Sequence, residues 1–409
     1  MRKSLLLGLI ASATVWIMIS GAITANALQS ATTANVEMAA LPPSSEGDNI
    51  VSENTHPLTE LQTSVTPMSG TLQHFAYLPI VMRRYRSAPA IYWGAIISGR
   101  AYGLKDDPPW SMQAVDIFES HVGKKISILH WGRRWWANNA YYGFDPTLME
   151  TVRQRGYYSL LDWTSWAYGQ VAHEDAPFFK LSRIIDGTHD TYIREWATAA
   201  KNWGHPFFLR FDYEMNGDWF PWSEVTNSNS SGQYVQAWRH VHDIFTQVGA
   251  NNVTWVWCPN IDLADSIPLE NLYPGDTYVD WTCIDGYNWG PEPNHGGRWW
   301  VFYDIFKPTY DHILAIAPNK PMMIGETSST ELNGSKAAWI TDALNVQMPQ
   351  SFPKMKAFVW FNVNADNMDW PVESSASAQA AFKEGITSSY YGFNEAFGME
   401  QSPIPPLYP

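Results

Sequence analysis

A chain of 409 residues with a formal charge of −14 and a pI near 5.2 carries 22 Trp among its 15% aromatic residues, and only 16% of it is charged. An acidic surface neither displaces the counterions of nucleic acid nor docks on anionic lipid, so neither is expected as a partner. A neutral ligand fits better, and indole rings suit the C–H faces of sugars, although many of these Trp must fill core.

In chain order, residues 1–27 open with Arg2 and Lys3, run apolar over 5–19 and end on Ala25, Asn26 and Ala27. A basic start, an apolar stretch too short to span a bilayer and a small-x-small site read as a secretory signal peptide. The mature chain is therefore expected outside the cell, free or tethered to its surface, without membrane insertion. Residues 28–88 are rich in Ser, Thr and Pro and poor in large apolar side chains, a composition that does not offset the entropy of folding, and are read as a disordered linker. Within them 75–86, apolar and then basic, suits a docking strand, a surface-attachment element or the entry to the folded part equally. The folded domain is placed at 89–396 and a C-terminal tail at 397–409.

Eight short apolar runs follow one another, at 91–98, 125–132, 157–164, 206–216, 253–260, 279–288, 321–328 and 356–364. Amphipathic stretches at 110–121, 146–155, 191–203, 233–248, 299–316 and 336–344 lie between them. Strand-helix alternation implies parallel pairing through right-handed crossovers, and eight units in about 300 residues predict an α/β fold, a single (β/α)8 TIM barrel. A doubly wound open sheet is the alternative, but its glycine-rich turn after the first strand is poorly matched by 97–103. Cys258 and Cys283 fall inside neighbouring predicted strands. Export permits a disulfide there, and two separate small buried hydrophobes fit those positions as well.

Active sites of such barrels sit at the C-terminal strand ends. Those ends carry His130 and Trp131, Asp162 and Trp163, Glu214 and Asn216, Asn260, Tyr287 and Trp289, Glu326, and Trp360 with Asn362. In 206–222 a run of strand formers gives way to Asp212, Glu214, Asn216, Gly217 and Trp219, and strand alternation would place Arg210, Asp212, Glu214 and Asn216 on one face. Residues 320–329 repeat the design around Glu326. Alone, the acids of 206–222 read equally well as ion-pair partners of Arg210. Two strand-terminal glutamates far apart in sequence suggest instead an acid/base and nucleophile pair. His240 and His242, two apart on a predicted helix, face apart, and no zinc, Walker or nucleophile-elbow motif is present, so no metal or other cofactor is expected.

Arg210 with 214–222, 273–276 leading into 279–288, and 320–326 resemble glycoside hydrolase family 26, a β-mannanase family whose acid/base glutamate ends strand four and whose nucleophile ends strand seven. The resemblance extends over 91–390 and implies a β-linked polysaccharide substrate, with Glu214 as acid/base and Glu326 as nucleophile. It also implies Trp219, Tyr287 and Trp360 around the sugar being cleaved. Arg210, Tyr213, Asn260, Trp289 and Trp163 are added as substrate-binding candidates from the same strand ends. The pattern departs from the family at Phe211 and Tyr213, where a proline and a histidine are usual. β-1,4-Mannan is the first expected backbone, mixed-linkage β-glucan or β-xylan the alternatives, and a non-catalytic polysaccharide-binding barrel the reading from another class. A monomer is expected.

Overall fold

The structure, a computed structural model, describes residues 90–263, 266–392 and 400–407. The expected signal peptide, linker and 75–86 segment lie outside these residues. Eight parallel strands form a closed barrel: β1 (Ile91–Ile97), β2 (Ile128–Ala137), β3 (Tyr158–Ala167), β4 (Phe207–Phe211), β5 (Val253–Trp257), β6 (Trp281–Asp285), β7 (Met322–Thr327) and β8 (Met355–Asn362). Closure falls to β1, which pairs with β2 through Gly94↔Ile128 and with β8 through Tyr92↔Ala357. The (β/α)8 barrel expected from the sequence is therefore the fold.

Seven helices make most of the outer layer: α1 (Gln113–Val122), α2 (Pro146–Gln154), α3 (Asp190–Trp203), α4 (Gln233–Val248), α5 (Phe302–Ile316), α6 (Lys336–Asp342) and α7 (Ala376–Ile386). Local signals set their ends. Asp145 accepts the N–H groups of Thr147 and Leu148 ahead of α2, with Pro146 at its first position. Ile193, Trp196, Ala197 and Ala200 recur at helical spacing on the buried face of α3, which stops at Gly204. None of the described helices is long and apolar enough to cross a membrane.

Both faces of each strand are covered, which is why the strands read as continuous apolar runs. At the N-terminal end of the barrel Tyr92, Tyr158, Phe208 and Trp281 fill the interior, with ring centroids 5.4 to 6.4 Å apart. The C-terminal tail closes that end: Ile404 is buried, its N–H donates to Thr254 Oγ1 at 2.8 Å, and its carbonyl accepts from Trp281 Nε1 at 2.8 Å. Cys258 and Cys283, next in register after the pair Trp257↔Thr282, are joined by a disulfide with their Cα atoms 4.3 Å apart. The ladder of neighbouring parallel strands brings them together, resolving the choice between a bridge and two separate thiols.

Candidate active site

Strand β4 ends earlier than its sequence suggests. Pairing stops at Phe211, and Asp212 and Glu214 take positive φ values of 40° and 52°, so side-chain alternation does not continue through them. Asp212 consequently leaves the expected shared face and points at Ser165, whose N–H and Oγ both lie 2.7 Å from its oxygens. Glu214 turns into the barrel mouth instead. Its Oε1 accepts from Asn260 Nδ2 and its Oε2 from Trp219 Nε1, both at 2.8 Å. Asn216 supports this grip from behind, exchanging bonds of 2.9 Å with the backbone of Asn260. Gly217 leaves room for Trp219 to fold back, since a Cβ there would come within 2.2 Å of its ring.

Glu326, in β7, is held by different groups. Tyr287 donates its hydroxyl to Oε2 at 2.5 Å, and Arg210 Nη2 donates to Oε1. Arg210 is fully buried and also bonds Asp162 through Nε and Nη2, at 2.5 and 2.9 Å, and Asp285 through Nη1 at 2.5 Å. His130 Nε2 lies 2.9 Å from Asp162. Gly325 makes this clustering possible: a Cβ at that position would meet Cys283 Sγ at 2.5 Å and Asp285 Oδ1 at 2.7 Å. Tyr213 is not turned away from the cleft, as simple parity with Glu214 would place it. Its ring lies 3.8 Å from the Arg210 guanidinium carbon and packs against Phe220 and Trp222.

Carboxylate oxygens of Glu214, Asp285 and Glu326 lie within 4.8 Å of one another. Burial, and then the charge of Glu326, push the Glu214 carboxyl up to about 7, against the opposing hydrogen bond from Asn260. Asp162 and Asp285 share Arg210 yet move oppositely. Burial would raise both, but at Asp162 the charges of Arg210 and His130 outweigh it and hold the group below its ordinary range. At Asp285 burial, aided by the charges of Glu326, Glu214 and Asp162, outweighs Arg210 and raises it well above that range. Arg210 itself stays charged because its three carboxylates outweigh its burial.

The wall beside Glu326 is aromatic. Tyr287 meets Phe361 at 5.5 Å and Trp370 at 5.2 Å, while Trp289 meets Trp370 edge to face at 4.8 Å and stacks on His295 at 3.7 Å. Asp366, in the loop after β8, is raised to about 6 by burial and by Glu326, despite a hydrogen bond from Trp370. Lys336, fully buried at the start of α6, fixes that loop by donating to the carbonyls of Asp369, Trp370 and Pro371 at 2.5, 2.9 and 2.8 Å.

Two expected binding residues do not reach this site. Trp163 stacks on Trp196 of α3 at 4.6 Å, and Trp360 packs 5.1 Å from Phe382 of α7; both are buried between strand and helix. Each lies one residue out of phase with the interior, so Phe361 takes the place expected of Trp360. Sequence reasoning also missed Asp285, Asp366 and Trp370. Asp285 sits two positions before Tyr287, a spacing that could have revealed it, whereas the other two lie in a loop without periodicity.

The family model "Glycosyl hydrolase family 26" matches residues 170–387. Endoglucanase H of Acetivibrio thermocellus is 36% identical over 279 residues, covering 68% of this chain and 29% of that protein. A mannan endo-1,4-beta-mannosidase of Bacillus subtilis is 26% identical over 214 residues, covering 51% of this chain and 49% of its own. The chain thus spans less than a third of the first relative and about half of the second. A solved structure of Bacillus subtilis mannanase man26 superposes with a TM-score of 0.53 at 17% identity, covering 79% of this chain and 92% of that one, a likeness of fold. With its family segment embracing both strand-terminal glutamates, the chain belongs to glycosyl hydrolase family 26.

Proposed function

We propose that this chain cleaves the interior linkages of a β-linked polysaccharide with retention, through a covalent glycosyl-enzyme on Glu326. The observation that carries the reading is the closeness of two carboxylates in unlike surroundings. Oxygens of Glu214 and Glu326 within 4.8 Å match the close pairs of retaining enzymes, about 5 to 5.5 Å apart, and fall short of the spacing of about 6.5 to 9.5 Å by which inverting enzymes make room for a water beside the sugar. Glu326 attacks the anomeric carbon while Glu214, carrying a proton near neutral pH, gives it to the departing glycosidic oxygen. Glu214, now a carboxylate, takes a proton from water, which attacks the same carbon and releases Glu326. Arg210 and Tyr287 hold the nucleophile in place, each donating to one of its carboxyl oxygens.

Among backbones, a gluco-configured chain such as mixed-linkage β-glucan is favoured. Tyr213 stands over Arg210 where a histidine is usual in the family, and the relative with 36% identity carries the name endoglucanase. Mannan is the second reading, supported by the mannan endo-1,4-beta-mannosidase relatives. With the signal-like residues 1–27, the site of action is proposed to be extracellular. A reducing-sugar assay on mixed-linkage glucan, cellulose, galactomannan, glucomannan and xylan tests both levels. Release from glucan above galactomannan upholds the preference, the reverse order replaces it with mannan, and no release from any polymer overturns the hydrolase assignment for β-linked chains.

A further inference from the structure

A ladder of rings and guanidinium groups leads from the catalytic cluster to an exposed tryptophan at the C-terminal ends of β1 to β3. Trp166 meets Phe220 and Trp222 edge to face at 5.7 and 5.9 Å, and these two rings in turn pack on Tyr213 above Arg210. Arg134 lies 3.9 Å from the Trp166 ring and 5.5 Å from Tyr168, and Tyr168 meets Tyr142 at 5.7 Å. Arg133 stands between Tyr142 and Trp110, at 4.6 and 4.9 Å from their ring centroids. Trp110, Arg133, Arg134, Tyr142, Trp166 and Tyr168 precede residues 170–387, the segment that matches the family model, whereas Tyr213, Phe220 and Trp222 lie within it.

The outer end of this ladder is not built like core. Trp110 is 45% exposed, touching Trp131 edge to face at 5.9 Å and Arg133 on a ring face, so much of its apolar surface meets water. Arg133 is similarly underused: its nearest carboxylate oxygen, on Asp145, is 3.4 Å away, and its buried Nε has no hydrogen-bond partner among the described residues. An exposed indole beside a donor with spare capacity is the combination that binds a sugar, whose C–H face stacks on the ring while its hydroxyls accept from the guanidinium. Trp110 follows β1 and Arg133 lies in the C-terminal half of β2, on the same rim of the barrel as Glu326, and that shared rim gives the platform its ligand. The proposed substrate is long, and a polymer of neutral sugars reaching from Glu326 to Trp110 carries no charge that the acidic surface would repel, while the buried rings of Trp166, Tyr213, Phe220 and Trp222 brace the rim beneath it.

We propose that the outer end of this ladder is a polysaccharide-binding platform, with Trp110 stacking and Arg133 hydrogen-bonding a sugar ring beyond those held at the scissile bond. The inference rests on the proposed function and extends it to the length of chain engaged. The test compares Trp110→Ala, Trp110→Phe and Arg133→Gln with wild type. Two measurements are made, kcat/KM on mixed-linkage β-glucan or glucomannan relative to the matching 4-nitrophenyl β-bioside, and mobility in native gels containing each polymer. The expected result is a roughly tenfold fall in the polymer-to-bioside ratio for Trp110→Ala, a smaller fall for Arg133→Gln, substantial recovery in Trp110→Phe, and loss of polymer retardation in the gel. A ratio within about twofold of wild type together with unchanged retardation overturns the platform. Should wild type cleave no polymer, the proposed function fails by itself, and the gel still decides the platform: retardation that Trp110→Ala abolishes upholds it, and an unretarded wild type overturns it.

Discussion

The two glutamates at the barrel mouth carry the same functional group a few ångströms apart, and their surroundings give them different work. Among the described residues Glu214 is gripped only by neutral donors, an indole and an amide, so burial and a neighbouring negative charge keep its proton on. Glu326 faces a buried guanidinium and a phenol, so one of its two donors carries a charge. An acid and a nucleophile therefore coexist because one cation is placed asymmetrically between them, and its bonds to Asp162 and Asp285 keep it there.

The largest expected effect comes from deleting the side of this pair that bonds carbon. Glu326→Ala should lower kcat by about five orders of magnitude while oligosaccharide affinity stays measurable by calorimetry. A near-normal rate would remove the nucleophile assignment. Glu214→Ala should cost about a thousandfold on polysaccharide, yet aryl glycosides, whose leaving groups need no proton, should retain the first step and accumulate the glycosyl-enzyme in a burst. Equal losses on both substrates would contradict the acid role.

Smaller changes sharpen the comparison without destroying either partner. Glu214 must hold a proton to act as acid, so kcat/KM of the wild type should fall as pH rises through about 7. Asn260 and Trp219 bond the ionised form and oppose that raised value. Asn260→Ala or Trp219→Phe should therefore move the alkaline limb upward, by roughly one pH unit, with about a tenfold loss in rate. A limb that stays in place would mean these donors do not set the acid's affinity for its proton.

Asp212 supplies a third environment, buried with neither cation nor a share in the catalytic cluster, and burial raises it to about 8. The folded state keeps this proton over a range where the unfolded chain, with a carboxyl near 3.8, has lost it. Stability from this group is thus full below the unfolded value and declines as pH rises toward 8. Asp212→Asn mimics the protonated form and keeps both contacts to Ser165, so its Tm should match wild type near pH 4 and exceed it, by on the order of 5 °C, near pH 8. A variant less stable than wild type at pH 8 would show that the carboxylate is accommodated.

How far the sequence could be read follows from these same residues. The strand-helix rhythm and the two glutamates were legible because buried parallel strands leave unbroken apolar runs and end abruptly in polar residues. Whether a side chain faces inward was not legible, because strands apolar on both faces carry no alternation to fix phase. Trp163 and Trp360 were placed at the rim for that reason, and Phe361 was overlooked. Positive φ at Asp212 and Glu214 was equally hidden, since neither is a glycine and the turn is imposed by the tertiary contacts of Ser165, Asn260 and Trp219. Asp366 and Trp370 belong to a loop whose course is set by a lysine from another element.

That lysine has a consequence for anyone recombining such barrels. Loops after successive strands are commonly treated as exchangeable parts, but Lys336 enters from the segment behind β7 and spends its donors on the backbone behind β8. Ser328 and Thr330 add bonds of 2.7 and 2.6 Å to Trp370 and Asp369 across the same boundary. A graft that replaced residues 363–374 alone would strand a buried ammonium group without its carbonyls, a loss of the kind that costs about 3 to 5 kcal/mol. The heritable unit here is the pair of loops, so a chimera should take its crossover points before Ser328 and after Ser375.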